Sequence, residues 1–180
     1  MKKSAIYYSI IMLTCSLFFT SCKKDSSSPA SNNYIEFKID GQQYRMEQNQ
    51  ESNGEFTTGA AQHSGPTFGK YGLIVAFGHS LSDEGAGFTL IDAQKLTQPH
   101  YYFTTVDGGV FTYIMPNSTQ YISGATSTLT IDFSTIDTVA AGTLEGTFSA
   151  TNLELQDEDG NTISTGHTLT DGKVRTIIAQ

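Results

Sequence analysis

The stretch Tyr34-Ile35-Glu36-Phe37-Lys38-Ile39-Asp40-Gly41 decides the fold class. Ile35, Phe37 and Ile39 alternate with Tyr34, Glu36 and Lys38. A strand sends successive side chains to opposite faces, so this run reads as a half-buried strand with one apolar face. Asp40-Gly41 is the dipeptide that a two-residue type I′ hairpin turn favours, because both central residues of that turn need positive φ. Residues 42–46 are the expected returning strand.

The same grammar continues toward the C-terminus. Residues 47–55 read as a polar loop and 56–62 as a weak strand. Residues 63–69, with Gly65-Pro66, read as a turn-rich loop. Residues 71–77 are apolar on both faces, which suits a central strand. Residues 86–91 form the next strand, and 92–98 a single helical turn. Residues 101–106 and 110–115 are expected to pair as a hairpin across Asp107-Gly108-Gly109. In 127–133, Leu129, Ile131 and Phe133 share the inward face. In 143–155, Leu144, Gly146, Phe148 and Ala150 share a face, while Leu153 and Leu155 fall one residue out of phase. An extra residue near Thr151-Asn152, a β-bulge, brings both leucines back inward. Residues 157–161 form a turn. Residues 162–169 are a polar strand that Asp171-Gly172 turns into a last strand over 173–178. Turn signals every 8–12 residues predict an all-β domain, an antiparallel β-sandwich or a small barrel of about ten short strands. The chain has no internal repeat and no long amphipathic helix.

Toward the N-terminus the chemistry changes. Lys2 and Lys3 precede a mostly apolar run over residues 5–19, which is the length of a signal-peptide core and too short for a permanent span. Ser21 is the small residue required before a cleavage point, and Cys22 follows it. Residues 1–21 are read as a lipoprotein signal peptide that resembles the bacterial lipobox, with Phe19 where leucine is usual. That resemblance implies acylation of Cys22, and two or more chains at about 0.8 kcal/mol per buried CH₂ give stable anchoring. Cys15 is the rival acceptor, disfavoured by the short apolar run before it and by Thr14. Residues 22–33 are then the lipidated cysteine and a flexible Ser/Asn-rich tether. Fully extended, it spans about 35 Å. Residues 34–180 form the single β-domain.

Removing the leader takes the Lys+Arg total from 10 to 8 against 18 acids, a net charge of −10. That charge repels nucleic acid and anionic lipid headgroups, so acyl chains on Cys22 must make the membrane contact. With Cys22 acylated no cysteine is left for a disulfide or a thiolate metal site.

The Cys22-Lys23-Lys24-Asp25-Ser26-Ser27 tether, the opening run from Phe37 to Tyr44 and the closing runs Gly142-Thr143-Leu144-Glu145-Gly146-Thr147-Phe148 and Leu169-Thr170-Asp171-Gly172-Lys173-Val174 resemble small β-sandwich lipoproteins of Bacteroidota. Leu169 and Val174 stand where that group has a β-branched residue and phenylalanine. The resemblance covers about a third of the mature chain and implies a fold and an outer-membrane address, with no assigned reaction. Lys23 and Lys24 with the single acid Asp25 match its surface-export signal only in part, so the periplasmic and surface faces both stay open. Asp137-Thr138-Val139 resembles the O-glycosylation sequon of these bacteria, with Thr138 as the acceptor.

Candidate sites are few. His63, His79, His100 and His167 are each more than four residues apart, which excludes a close-pair zinc site and reads as exposed loop histidines. Gly78-His79-Ser80-Leu81-Ser82 lacks the second glycine and the following helix of a nucleophile elbow. Asp157, Asp159 and Asn161 have the spacing that opens a calcium loop, yet Thr162 and Thr168 stand where that loop needs glycine and glutamate, so a solvated turn is expected. Tyr102, Phe111 and Tyr113 are the candidate platform for stacking on sugar rings, although the chain has no tryptophan. The expectation is a protein without catalysis or cofactor that binds a glycan or another envelope protein, or has a structural role, with a hydrolase as the least favoured alternative.

Overall fold

The computed structural model describes residues 33–50, 56–67, 70–80, 82–92, 100–104, 108–137, 139 and 141–179, with backbone alone for 49–50, 56–58, 63–67, 70–71, 92 and 100–104. The described residues contain no helix. They form eleven strands: β1 Tyr34–Ile39, β2 Gln42–Glu47, β3 Asn49–Gln50, β4 Phe56–Thr67, β5 Lys70–His79, β6 Gly85–Asp92, β7 His100–Thr104, β8 Val110–Ile114, β9 Gln120–Ile136, β10 Thr143–Gln156 and β11 Thr162–Ala179. All belong to one mixed sheet in the order β2-β1-β11-β10-β9-β8-β6-β5-β4-β3, with β7 beside β9. Every pairing is antiparallel except the short parallel contact of Ile178 and Ala179 in β11 with Ala61 and Gln62 in β4.

The opening hairpin forms as its sequence dictates. Asp40 and Gly41 both have positive φ, 50° and 86°, the backbone of a type I′ turn. Ile35, Phe37 and Ile39 are buried, and Phe37 stacks on Tyr44 of β2. Phe37 also meets Phe111 and Tyr113 of β8 edge-on, at 5.3 and 5.2 Å between centroids. Phe88 of β6 reaches Phe148 of β10 with its ring tilted, at 5.5 Å between centroids. Neither β1 and β8 nor β6 and β10 are adjacent in the sheet, so the sheet curls over a single apolar core.

The longest strands depart from the expected short ones. β9, β10 and β11 have 17, 14 and 18 residues. Asp171-Gly172 is not a turn, because β11 runs straight through it. The register against β10 slips between Phe148 and Ala150, and that against β1 slips between Glu36 and Lys38. Asp171, at φ 53°, is the extra residue of a bulge. Gly172 is required there, since a Cβ would lie 2.3 Å from the Phe148 carbonyl oxygen. The bulge expected near Thr151-Asn152 is present. Asn152 has φ 55°, the register against β11 slips between Ala150 and Leu153 with the extra residue in β10, and Leu153 is fully buried while Leu155 is half-buried.

Two other expectations are corrected. Residues 63–67 continue β4, and the ladder simply skips Gly65 and Pro66, where a missing N–H costs no ladder bond. β7 and β8 make no hairpin. Both run antiparallel to β9, β7 along residues 128–132 and β8 along 120–122, so they are parallel to each other, in line along one edge. β9 is long enough to hold both. The helical turn expected over 92–98 lies, after Asp92, outside the described residues.

Candidate functional site: a polar groove on the outer sheet face

Five neighbouring strands, β2, β1, β11, β10 and β9, bury one face and turn the other outward. Cross-strand pairing sets the outward residues in rows. Arg45, Glu36, Lys173, Thr147 and Asp132 stand opposite one another in sequence across all five strands. The adjoining row has Gln43 and Lys38 on one side of the β11 bulge and Ser149 and Thr130 on the other. Between them lies a groove of about 570 Å³, lined by these side chains with Asp171, Gly172 and Phe148.

The charges are held in place. Glu36 accepts from Arg45 and, at 3.1 Å, from Lys173 Nζ. Burial pushes the Glu36 carboxyl up, but the Lys173 and Arg45 hydrogen bonds outweigh it and hold it below the usual range. Arg45 also meets Glu47 at 3.1 Å and lies over the Tyr34 ring at 4.5 Å. Lys38 Nζ donates to Asp171 Oδ2 at 2.8 Å, and that bond holds the Asp171 carboxyl low. The bulge is what brings Asp171 there: it adds an acid to the row without disturbing the inward phase of Leu169 and Val174, both fully buried. Three cations and three acids therefore share the groove with three hydroxyls and an amide. Such a surface offers donors and acceptors at fixed spacing and no net charge. It suits a neutral, hydroxyl-rich ligand better than an ion.

The residues singled out in the sequence fall elsewhere. Phe111 and Tyr113 are 0% and 2% exposed, in the core against Phe37, so they form no stacking platform. Alternation alone could not say which face of β8 is covered; the curl of the sheet covers it with β1. Tyr102 stands opposite Thr130 in the ladder, beside the groove row, and its side chain lies outside the described residues. Cys22 and Thr138 lie outside them too. Asp157 spends its carboxylate on its own turn: Oδ1 accepts from the N–H groups of Asp159 and Asn161 at 3.1 and 2.7 Å, and both oxygens take the Asn161 amide. These bonds, the Asn161 side chain first, hold it below the usual carboxylate range. Among the described residues no cluster of three His, Cys, Asp or Glu could hold a metal. The histidines are not loop residues: His63, His79, His100 and His167 lie in β4, β5, β7 and β11.

Lys38, Arg45, Thr130, Thr147, Asp171 and Lys173 were not legible as a site. Their only sequence signal is a polar residue at alternate positions. Their meeting depends on pairings such as Glu36 with Lys173, 137 residues apart. No protein-family model matches this chain, and no match was found among curated proteins or solved structures.

Proposed function

We propose that this chain is an outer-membrane lipoprotein, anchored through acylated Cys22, whose β-domain binds a neutral polar ligand in the outer groove. The observation that carries the reading is the groove itself, with balanced, mutually fixed charges and hydroxyls in register across five strands. An oligosaccharide is the ligand class that best matches closely spaced donors and acceptors. For the fold, we read the curled sheet as a sandwich-like barrel. Support comes from the β11–β4 contact, which joins two distant points of the strand path, and from the core contacts between Phe37 and Phe111.

A thermal-shift screen of the full chain in detergent against glycans tests the ligand. At about 100 times its dissociation constant, a true ligand stabilises by about 2.7 kcal/mol, a shift of several degrees. Lys38→Ala should abolish the shift and leave the unliganded midpoint unchanged, because exposed pairs add little stability. No shift with any glycan, or a shift that survives Lys38→Ala, contradicts the groove. Separately, Cys22→Ser should release the protein from the membrane fraction.

A further inference from the structure

A second constellation lies away from the groove, at the end of the core where the β1–β2 hairpin tip meets β11. His167 Nδ1 is 2.6 Å from Asp40 Oδ2, and His167 Nε2 is 2.7 Å from Ser164 Oγ. The other Asp40 oxygen accepts the Thr168 N–H at 3.0 Å, and the Asp40 N–H donates to the Thr168 carbonyl at 3.0 Å. The acid is therefore fixed twice before it reaches the imidazole. The His167 hydrogen bond, then the Thr168 N–H, hold its carboxyl below the usual range. The His167 ring also packs edge-on to Tyr121, at 5.1 Å between centroids.

The local backbone explains how serine and histidine meet. Ser164 and His167 are three apart, and an uninterrupted strand would send them to opposite faces. Gly166, at φ 86°, is the extra residue of a bulge, and the register against β10 slips between Leu153 and Glu154. The inserted residue returns His167 to the face of Ser164. Ionised Asp40 accepts the Nδ1–H, which leaves the Nε2 lone pair to take the serine proton.

We propose that Ser164 is an activated nucleophile for acyl transfer from a carboxylic ester, with His167 as its base and Asp40 as a positioning residue. The substrate class follows from the walls. Tyr121, Leu155 and Ser164 stand in one cross-strand row and are all half-buried, so an apolar acyl or aryl group has a surface beside the hydroxyl. The strongly acidic chain disfavours an anionic ester. Ser164 Oγ bonds to the ester carbonyl carbon, its proton passes to His167 Nε2, and the carbon–oxygen bond to the leaving group breaks as His167 returns the proton to give an alcohol. Water then adds to the acyl-serine with His167 as base, releasing the carboxylic acid and restoring Ser164. His167 is 19% and Asp40 50% exposed, so the site is open to solvent.

An alkyl fluorophosphonate tests this on the full chain in detergent. Ser164 Oγ bonds to phosphorus, fluoride leaves, and His167 takes the proton. Mass spectrometry should find one phosphonylated residue, Ser164. Ser164→Ala should abolish the label, and His167→Gln should slow it about 100-fold, the scale of general-base assistance. Asp40→Asn should slow it too and remove the downfield proton resonance of the imidazole Nδ1–H, which a merely packed histidine would not show. Labelling of another residue, no labelling, or equal rates in wild type and His167→Gln overturns the proposal, and the last would mark the three residues as a structural tie of the hairpin tip. Because His167→Gln keeps Ser164, the comparison stands even if Ser164→Ala fails to fold.

Discussion

The β1–β2 hairpin and the β10–β11 pair are built from the same alternating residues, and they differ in one respect. β1 and β2 keep a perfect register over six residue pairs. β10 and β11 slip four times over their common length. The regular pair sends Ile35, Phe37 and Ile39 into the core. The slipped pair does that too, through Leu144, Phe148, Leu153, Leu169 and Val174, but two of its slips also re-aim a polar residue. The slip at Asp171 sets an acid against Lys38 in the groove, and the slip at Gly166 turns His167 onto Ser164. Both ladders make the core here, and the bulges add Asp171 to the in-register groove and bring His167 to Ser164.

The largest effect that can test this contrast belongs to the regular half. Phe37→Ala removes a fully buried ring that touches Tyr44, Phe111, Tyr113 and Phe148, and should cost about 3–5 kcal/mol in urea unfolding. A loss under about 1 kcal/mol would mean that β1 does not seal the core. Next comes the bulge. Gly172→Ala forces a Cβ onto the Phe148 carbonyl oxygen and should cost about 2 kcal/mol while weakening ligand binding in the groove. If binding survives that change, the bulge does not shape the site.

Acid gives the smallest and most distributed effect. The carboxyls of Asp40, Asp157 and Asp171 are all held below their ordinary values by hydrogen bonds. Their folded-state values lie below the unfolded ones, so the stabilisation is complete above about pH 4 and drains away as the pH falls through the lowered values. Two of these three lie at a hairpin tip or in a connecting turn and one at a bulge. The urea midpoint should therefore fall between pH 7 and pH 3, and Asp40→Asn should lose less on acidification than the wild type. An equal loss would show that the Asp40 tie is not formed.

Much of the fold was legible because local rules decided it. Asp40-Gly41 sits between two alternating runs, and the phase slip of Leu153 already implied a bulge near Asn152. Other elements were illegible for a physical reason. Asp171-Gly172 carries the same turn chemistry as Asp40-Gly41, yet becomes a bulge because β1 and β10 flank β11 on both sides and hold it extended. Asp107-Gly108-Gly109 suggested a hairpin, but the long β9 captures both flanking strands. For the sites, the deciding distances join Glu36 to Lys173 and Asp40 to His167, 137 and 127 residues apart. No local pattern encodes such a pairing. The aromatic platform failed because Phe111 and Tyr113 lie on the face that the curled sheet covers.

The most direct test of bulges as the devices that place chemistry is a nuclear Overhauser measurement on the His167 ring. Cross-peaks from that ring to the Ser164 β-protons and the Tyr121 ring, lost on deletion of Gly166, are the predicted result. A His167 ring with no cross-peak to Ser164, or one whose contacts survive the deletion, would contradict it.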